Sequence, residues 1–371
     1  MAEESKLFKD VFFKPSFVDE LYDGVAKHVK VGTKKKFRDS IFDKEWNEKE
    51  LKQRVKHVTE VLHGLLPNSF PKAAKIITDI TKELLAANIK EVSFGYMCLC
   101  EYIERYGLEY YDESIKAMEL LTQFMSCEFA VRPFIIKYED RMMRQMLQWS
   151  KHKNAKVRRL STEGCRPRLP WGMALDRFKD NPAPILPILE NLKNDDDVWV
   201  RKSVANNLND ISKDNPELAV KLIKNWLGKT KHTDWVAKHA ARTLLKQGNT
   251  TVMSLFGLEM DKSIKLSDFK VLTPTVKEGK DLKFSFRIHN TGKKDKVLRL
   301  EYGMYYLRAN GTLSKKVFKI SERSYAAGEE YNVERKQSFK PITTRKYYKG
   351  PHKVSVIING HEMDTSDFKL I

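Results

Sequence analysis

DDDVWVRKSVANNL, Asp195–Leu208, carries the pattern that decides the fold class of this 371-residue chain. Its D-x-x-V-R-x-x-x-A spacing, Asp197 to Ala205, is that of the second helix of a two-helix repeat. Two other segments look like versions of the same unit: NAKVRRLSTEG, Asn154–Gly164, and HTDWVAKHAARTLL, His232–Leu245. Val157, Val200 and Val236 fall 43 and then 36 residues apart. That is near the period of about 40–47 residues of HEAT and armadillo arrays. The pattern predicts helices stacked into a curved solenoid.

Outward from these segments, apolar residues recur at helical spacing from Trp46 to about Leu245, as in LKQRVKHVTEVLHGLL (Leu51–Leu66), FPKAAKIITDITKELLAA (Phe70–Ala87) and PELAVKLIKNWL (Pro216–Leu227). After SIKLSDFKVLTPTVKEG (Ser263–Gly279) the period changes to alternation, as in DLKFSFRIHN (Asp281–Asn290) and HKVSVIINGHEM (His352–Met363), with Asn-Thr-Gly, Ala-Asn-Gly and Asn-Gly turn signals between the runs. About seven short strands in about 100 residues predict an immunoglobulin-like sandwich. The expected fold class is mainly α: a HEAT-like helical-repeat solenoid over residues 1–260, then a C-terminal immunoglobulin-like β-sandwich over 261–371.

The chain carries 68 Lys and Arg against 49 Asp and Glu, a formal charge of +19. A field of that sign draws polyanions, with nucleic acid the first candidate and anionic membrane the second. The excess is spread along the chain: residues 270–371 hold 22 basic against 11 acidic side chains. No apolar run approaches the roughly 20 residues of a membrane helix, and the acidic start MAEESK argues against a signal peptide, so a cytoplasmic protein is expected. Cys98, Cys100, Cys127 and Cys165 form no CxxC pair and have no ligand-spaced His, so buried reduced thiols are expected and no metal. P-loop, Rossmann, HExxH and GxSxG motifs are absent, which leaves no support for a nucleotide cofactor or for those hydrolytic mechanisms.

The most unusual stretch is RRLSTEGCRPRLPWG, Arg158–Gly172. Gly164, Pro167 and Pro170 disfavour a continuous helix, so Arg158, Arg159, Arg166 and Arg168 are presented partly on a rigid loop that can follow a phosphate backbone. Arg158 and Arg159 could equally pair with an Asp of the neighbouring repeat, whereas Arg166 and Arg168 have no such repeat role. Trp171, at the end of the loop, is placed to stack on a base or sugar, and Trp199, close to Arg201, is either core or a second such contact. Two carboxylates stand among these basic residues: Glu128, one turn before Arg132, and Asp210, beyond Arg201 and near Asn206 and Asn207. Each is an ordinary ion pair or helix cap, or else a group for chemistry that develops positive charge, since a carboxylate in a phosphate-binding cleft otherwise repels its ligand.

EFAVRPFI (Glu128–Ile135), RRLSTEGCRPRLPW (Arg158–Trp171) and DVWVRKSVANNLNDISKDNP (Asp197–Pro216) resemble the signature stretches of the AlkC-type alkylpurine DNA glycosylases, within the AlkC/AlkD superfamily of HEAT-like DNA repair proteins. The resemblance covers essentially the whole helical part, and the sandwich is similar to the extra immunoglobulin-like domain of some AlkC members. It implies a monofunctional glycosylase, working as a monomer without cofactor, that removes cationic N3-alkylated bases such as 3-methyladenine, and 3-methylcytosine, from duplex DNA. It implies Glu128, Asp210 and Trp171 as catalytic residues. Arg132, Arg158, Arg159, Arg166, Arg168, Trp199, Arg201, Asn206 and Asn207 would hold DNA. Lys315, Lys316 and Arg345, with Lys346 and Lys349, would add a backbone clamp from the sandwich. It further implies that the lesion need not leave the stack fully. The competing expectations are a catalytically inert DNA-binding scaffold and a protein-binding solenoid with a basic surface.

Overall fold

The structure, a computed structural model, describes residues 11–88, 94–342 and 345–371. Sixteen α-helices lie among the described residues. The first eight are α1 (Pro15–Ala26), α2 (Lys34–Ile41), α3 (Leu51–His63), α4 (Phe70–Ala86), α5 (Met97–Tyr106), α6 (Tyr111–Leu121), α7 (Val131–Lys137) and α8 (Glu139–Trp149). Then follow α9 (Ala155–Glu163), α10 (Asp176–Asp180), α11 (Leu186–Leu192), α12 (Val198–Ile211), α13 (Pro216–Trp226), α14 (Lys231–Ala240), α15 (Arg242–Lys246) and α16 (Thr250–Leu255). The described residues form two compact units: those up to Asn215 with Trp226–Ala240, and Pro216–Asn225 with Ala241–Ile371.

In the first unit, several helices pack side by side with a later helix of the chain: α3 on α5, α4 on α6, α9 on α12, and α12 on α14. The last three of these helices are the repeats read from the sequence. Val157, Val200 and Val236 are all fully buried between them, so the recurring valine is the residue that each repeat inserts into the stack. All four cysteines are free and buried.

In the second unit, eight strands make two sheets. They are β1 (Ile264–Val271), β2 (Thr275–Val276), β3 (Asp281–Asn290), β4 (Lys296–Leu307), β5 (Leu313–Tyr325), β6 (Glu330–Ser338), β7 (Gly350–Ile358) and β8 (His361–Leu370). The sheet orders are β1-β3-β6 and β2-β8-β7-β4-β5. The strand beyond the seven expected is β2, a two-residue element that pairs parallel to β8. Strand β3 alternates as its sequence does, with Leu282, Phe284, Phe286 and Ile288 in the core. The Asn359–Gly360 hairpin turn has φ of 46° and 78°, as its Asn-Gly pair demands, and a Cβ at Gly360 would sit 2.8 Å from Gly248.

Candidate active site

Two side-chain caps set the helices that carry the site. Asn154 Oδ1 accepts from the Lys156 backbone N–H (2.9 Å), and Asp197 Oδ1 from those of Trp199 and Val200 (2.7 and 3.1 Å). Each satisfies N–H groups that a first helical turn leaves unbonded, and so fixes where α9 and α12 start. With those starts, Arg159 and Glu163 of α9 and Asn207 and Asp210 of α12 come to one region. Helix α9 stops at Glu163, and a Cβ at Gly164 would lie 2.5 Å from Val131 Cγ2, so only glycine lets the chain turn off against α7. The Arg-rich segment is therefore part helix and part loop, as expected.

Arg132 holds that loop from behind. Its Nε donates to the Met173 carbonyl (2.6 Å), and its Nη1 to the carbonyls of Gly164 (2.8 Å) and Arg166 (2.9 Å). One guanidinium thus ties both ends of the segment. It is fully buried, and desolvation pulls its pKa down to about 10. The expectation that Arg132 touches DNA is corrected: the side chain is fully buried, with Nε and Nη1 serving backbone carbonyls and Nη2 left without a hydrogen-bond partner among the described residues.

Two carboxylates and two arginines alternate across the site, with a buried aspartate at one end. Glu128 sits in the turn before α7 and not on a helix; it accepts from Ser126 Oγ (2.8 Å) and pairs with Arg159 (3.0 Å). Arg159 reaches towards Glu163 (3.9 Å), and Glu163 accepts from Arg166 Nη1 (2.6 Å). Arg166 Nε donates to Asp210 (2.9 Å), which also holds Lys213 (3.1 Å). Burial works against the charge of Arg166, but Glu163 and Asp210 outweigh it and its pKa is raised. Arg166, about 7% exposed, is thus a second correction: expected to contact phosphate more than to serve the structure, it is the bridge between two buried carboxylates. Asp210, about 2% exposed, stands behind that bridge.

Glu128, Glu163 and Arg166 line a cavity of about 340 Å³ together with Ser126, Phe129 and Trp171. Trp171 is 63% exposed and sits at φ +65°, in the left-handed region that a bulky side chain enters only when held. The indole lines the cavity while most of its surface stays open to solvent. Trp199 is also outside the core, 62% exposed, with the Lys202 ammonium 4.2 Å from its ring centre. It lines a separate cavity of about 420 Å³ with Lys156, Arg159 and Asp197.

The remaining basic residues divide. Arg158 forks onto Asp195 (2.6 and 3.0 Å), the neighbouring-repeat pairing left open by the sequence, and that pairing raises its pKa. Arg201 spends its Nη1 on the carbonyls of Asp195 and Asp196 (2.6 and 2.9 Å). Asn207 is fully buried and donates to the Thr162 carbonyl (2.8 Å), so it is corrected from a DNA contact to a tie between α12 and α9. Asn206, its neighbour, is half-buried. Arg168 forks onto Asp214 (3.0 and 2.6 Å) at the surface. In the second unit Lys315 pairs with Glu362 (2.9 Å), the Arg345 guanidinium lies 3.9 Å over Tyr306, and Lys316 is exposed above Phe318.

The DNA alkylation repair enzyme model matches residues 52–247, more than half of the chain and the whole of this site. The chain belongs to the DNA alkylation repair enzyme family. The C-terminal Ig-like domain of the uncharacterised protein YhaZ matches residues 265–371 of the repair enzyme. Over 361 residues the enzyme is 44% identical to uncharacterized protein YhaZ of Bacillus subtilis (strain 168), covering 96% of this chain and 99% of the relative. Its structure is similar to that of the Pseudomonas fluorescens alkylpurine DNA glycosylase AlkC bound to DNA containing an abasic site analog. The TM-score is 0.89 at 32% identity, over 98% of this chain and 99% of that one.

Sequence reasoning missed Glu163 and Ser126 in this enzyme. Glu163 had a local signal: it stands four residues after Arg159 on one helix, which is ion-pair spacing. Ser126, two residues before Glu128, had none beyond proximity.

Proposed function

We propose that this repair enzyme is a monofunctional DNA glycosylase that hydrolyses the N-glycosidic bond of cationic N3-alkylated bases, 3-methyladenine and 3-methylcytosine, in duplex DNA. The observation that carries it is the pairing of two carboxylates, Glu128 and Glu163, in one cavity beneath exposed Trp171 on a chain of charge +19. DNA attracts such a protein; Glu128 and Glu163 are balanced in the resting site by Arg159 and Arg166, and the carboxylate oxygens presented to the cavity favour a developing cation over a phosphate. The relative bound to DNA with an abasic site analog supports the same substrate class.

An N3-alkylated base already carries the positive charge that a leaving group otherwise gains from a general acid. When the bond from C1′ to the base nitrogen breaks, its electron pair neutralises the base and leaves the charge on the sugar. Glu128 stabilises that developing cation, and water adds to C1′ and gives its proton to a carboxylate. Asp210 acts one step back: it fixes Arg166 and adds negative charge to the cluster without facing the cavity itself. Trp171 packs against the sugar or base at the lesion. We propose action without full base flipping: the cavity's polar lining, Ser126, Glu128, Glu163 and Arg166, is already paired within itself, which leaves its carboxylates to face a sugar cation and not the hydrogen-bonding edge of an extruded base.

We place the glycosylase domain at residues 1–260 and a DNA-backbone clamp at 261–371, with Lys315, Lys316 and Arg345 on its surface. No helix among the described residues is long and apolar enough to cross a membrane, and we propose a monomer that meets duplex DNA in the cytoplasm. The deciding experiment measures free base released from duplex DNA carrying 3-methyladenine. Release by the wild type that collapses in Glu128→Gln is expected; a folded wild type that binds DNA and releases nothing overturns the proposal.

A further inference from the structure

Trp171 sits at φ +65° as the third residue of the Leu169–Gly172 turn, directly after Pro170, the position where a type II turn takes a positive φ. The loop's internal bonds, Gly172 N–H to the Leu169 carbonyl (3.1 Å) and Leu175 N–H to the Pro167 carbonyl (3.2 Å), close the turn around it. Arg132 takes the carbonyls of Gly164, Arg166 and Met173, but not that of Trp171. The Trp171 carbonyl accepts instead from Lys52 Nζ at 2.9 Å, a bond between residues 119 apart in the chain.

Lys52 stands in the first turn of α3 and is exposed, so the bond is not a by-product of a buried charge seeking a partner. The same ammonium lies 5.2 Å from the centre of the Phe129 ring, on the residue that follows Glu128. It also lines a cavity of about 280 Å³ whose wall includes Ser126, the hydroxyl that donates to Glu128, together with Phe129. A single side chain therefore touches the tip that carries the indole and the turn that carries the carboxylate. A bond from a charged donor to a carbonyl, anchored at its other side on an aromatic face, is a defined strut and not a loose surface contact.

We propose that Lys52 is a positioning residue of the repair reaction: it sets the Trp171 indole relative to Glu128 by holding the Trp171 backbone. This rests on the proposed glycosylase activity of the site. Lys52 makes its contribution through Trp171, not through a phosphate.

The test is a double-mutant cycle of Lys52→Met, which keeps the aliphatic stem, with Trp171→Ala, read as single-turnover release of 3-methyladenine from duplex DNA at saturating protein. Lys52→Met is expected to slow release about tenfold, the scale on which misplacement of a positioned group acts, with affinity for undamaged duplex changed less than about threefold. In the Trp171→Ala background it is expected to have no further effect. The same loss in both backgrounds, or a Lys52→Met protein as fast as wild type, overturns the proposal. A readout that needs no catalysis is acrylamide quenching of the Trp171 emission, taken as the difference from Trp171→Phe. Lys52→Met should raise that quenching, and unchanged quenching also overturns the proposal. If the wild type released no base while quenching still rose, the failure would belong to the glycosylase reading and not to the Lys52 strut.

Discussion

Arg159 places a guanidinium nitrogen 3.0 Å from the carboxylate of Glu128, which lines the same cavity as Trp171. The pairing orients the carboxylate, and the Ser126 hydroxyl donates to the same Glu128 oxygen at 2.8 Å while accepting from Arg159 at 3.1 Å.

Glu128→Gln keeps the shape of that side chain and removes its charge. Single-turnover release of 3-methyladenine should fall by about 100-fold or more, the usual scale for one electrostatic stabiliser of a transition state. Binding to undamaged duplex should hold or tighten, because a negative charge near phosphate has gone. Parallel losses in binding and rate would assign Glu128 to DNA positioning.

Asp210 and Asp214 give a contrast set by burial. Asp210 is about 2% exposed and paired with buried Arg166, whereas Asp214 meets Arg168 at the surface. Asp210→Asn leaves Arg166 short of one countercharge in a low-dielectric site and should cost about 3 kcal/mol in urea unfolding. Asp214→Asn should cost less than about 1 kcal/mol, because water screens an exposed pair. Equal losses would mean that Arg166 finds another partner.

Glu104 governs part of the pH dependence. Burial first, and then the charge of Glu101, push its carboxyl up to about 7, against the lowering pull of Lys52 and Arg105. Its pKa is raised on folding, so the folded protein binds more protons between about pH 4.5 and 7, and stability from this group falls as pH rises through that window. Glu104→Gln should therefore be more stable than wild type at pH 8 by about 1–3 kcal/mol and equal to it near pH 4.5. Melting temperatures across that range check it, and parallel curves for the two proteins would remove Glu104 from the account.

The sandwich is tested through salt. Replacing Lys315, Lys316 and Arg345 together with Gln should reduce the slope of log Kd against log salt for duplex DNA by about 2–3, near 0.9 for each phosphate no longer neutralised. Lys316→Gln alone should take about one unit. Lys315 already has Glu362 at 2.9 Å, so its share is the smaller. A slope that does not move would exclude this face from the DNA interface.

Local pattern determined a great deal here. Helical and strand periods depend on neighbours a few residues apart, so the repeats around Val157, Val200 and Val236, the turn at Asn359–Gly360 and the break in the helix at Gly164 could all be read from the chain. The basic charge and the signature stretches pointed to damaged DNA, and Glu128 and Trp171 stood out as one of two carboxylates among basic residues and an aromatic beside an Arg-rich loop; the structure brings both to one cavity. Which arginines face out was decided only by tertiary structure. Arg166 reads as a phosphate contact in the sequence because its partner Asp210 lies 44 residues away, and Arg132 does so because the carbonyls it serves lie on a loop 32 to 41 residues downstream. Desolvation explains the difference: a charge buried by packing must be answered by whatever the fold brings near, and sequence spacing carries no record of distances across 44 or 119 residues.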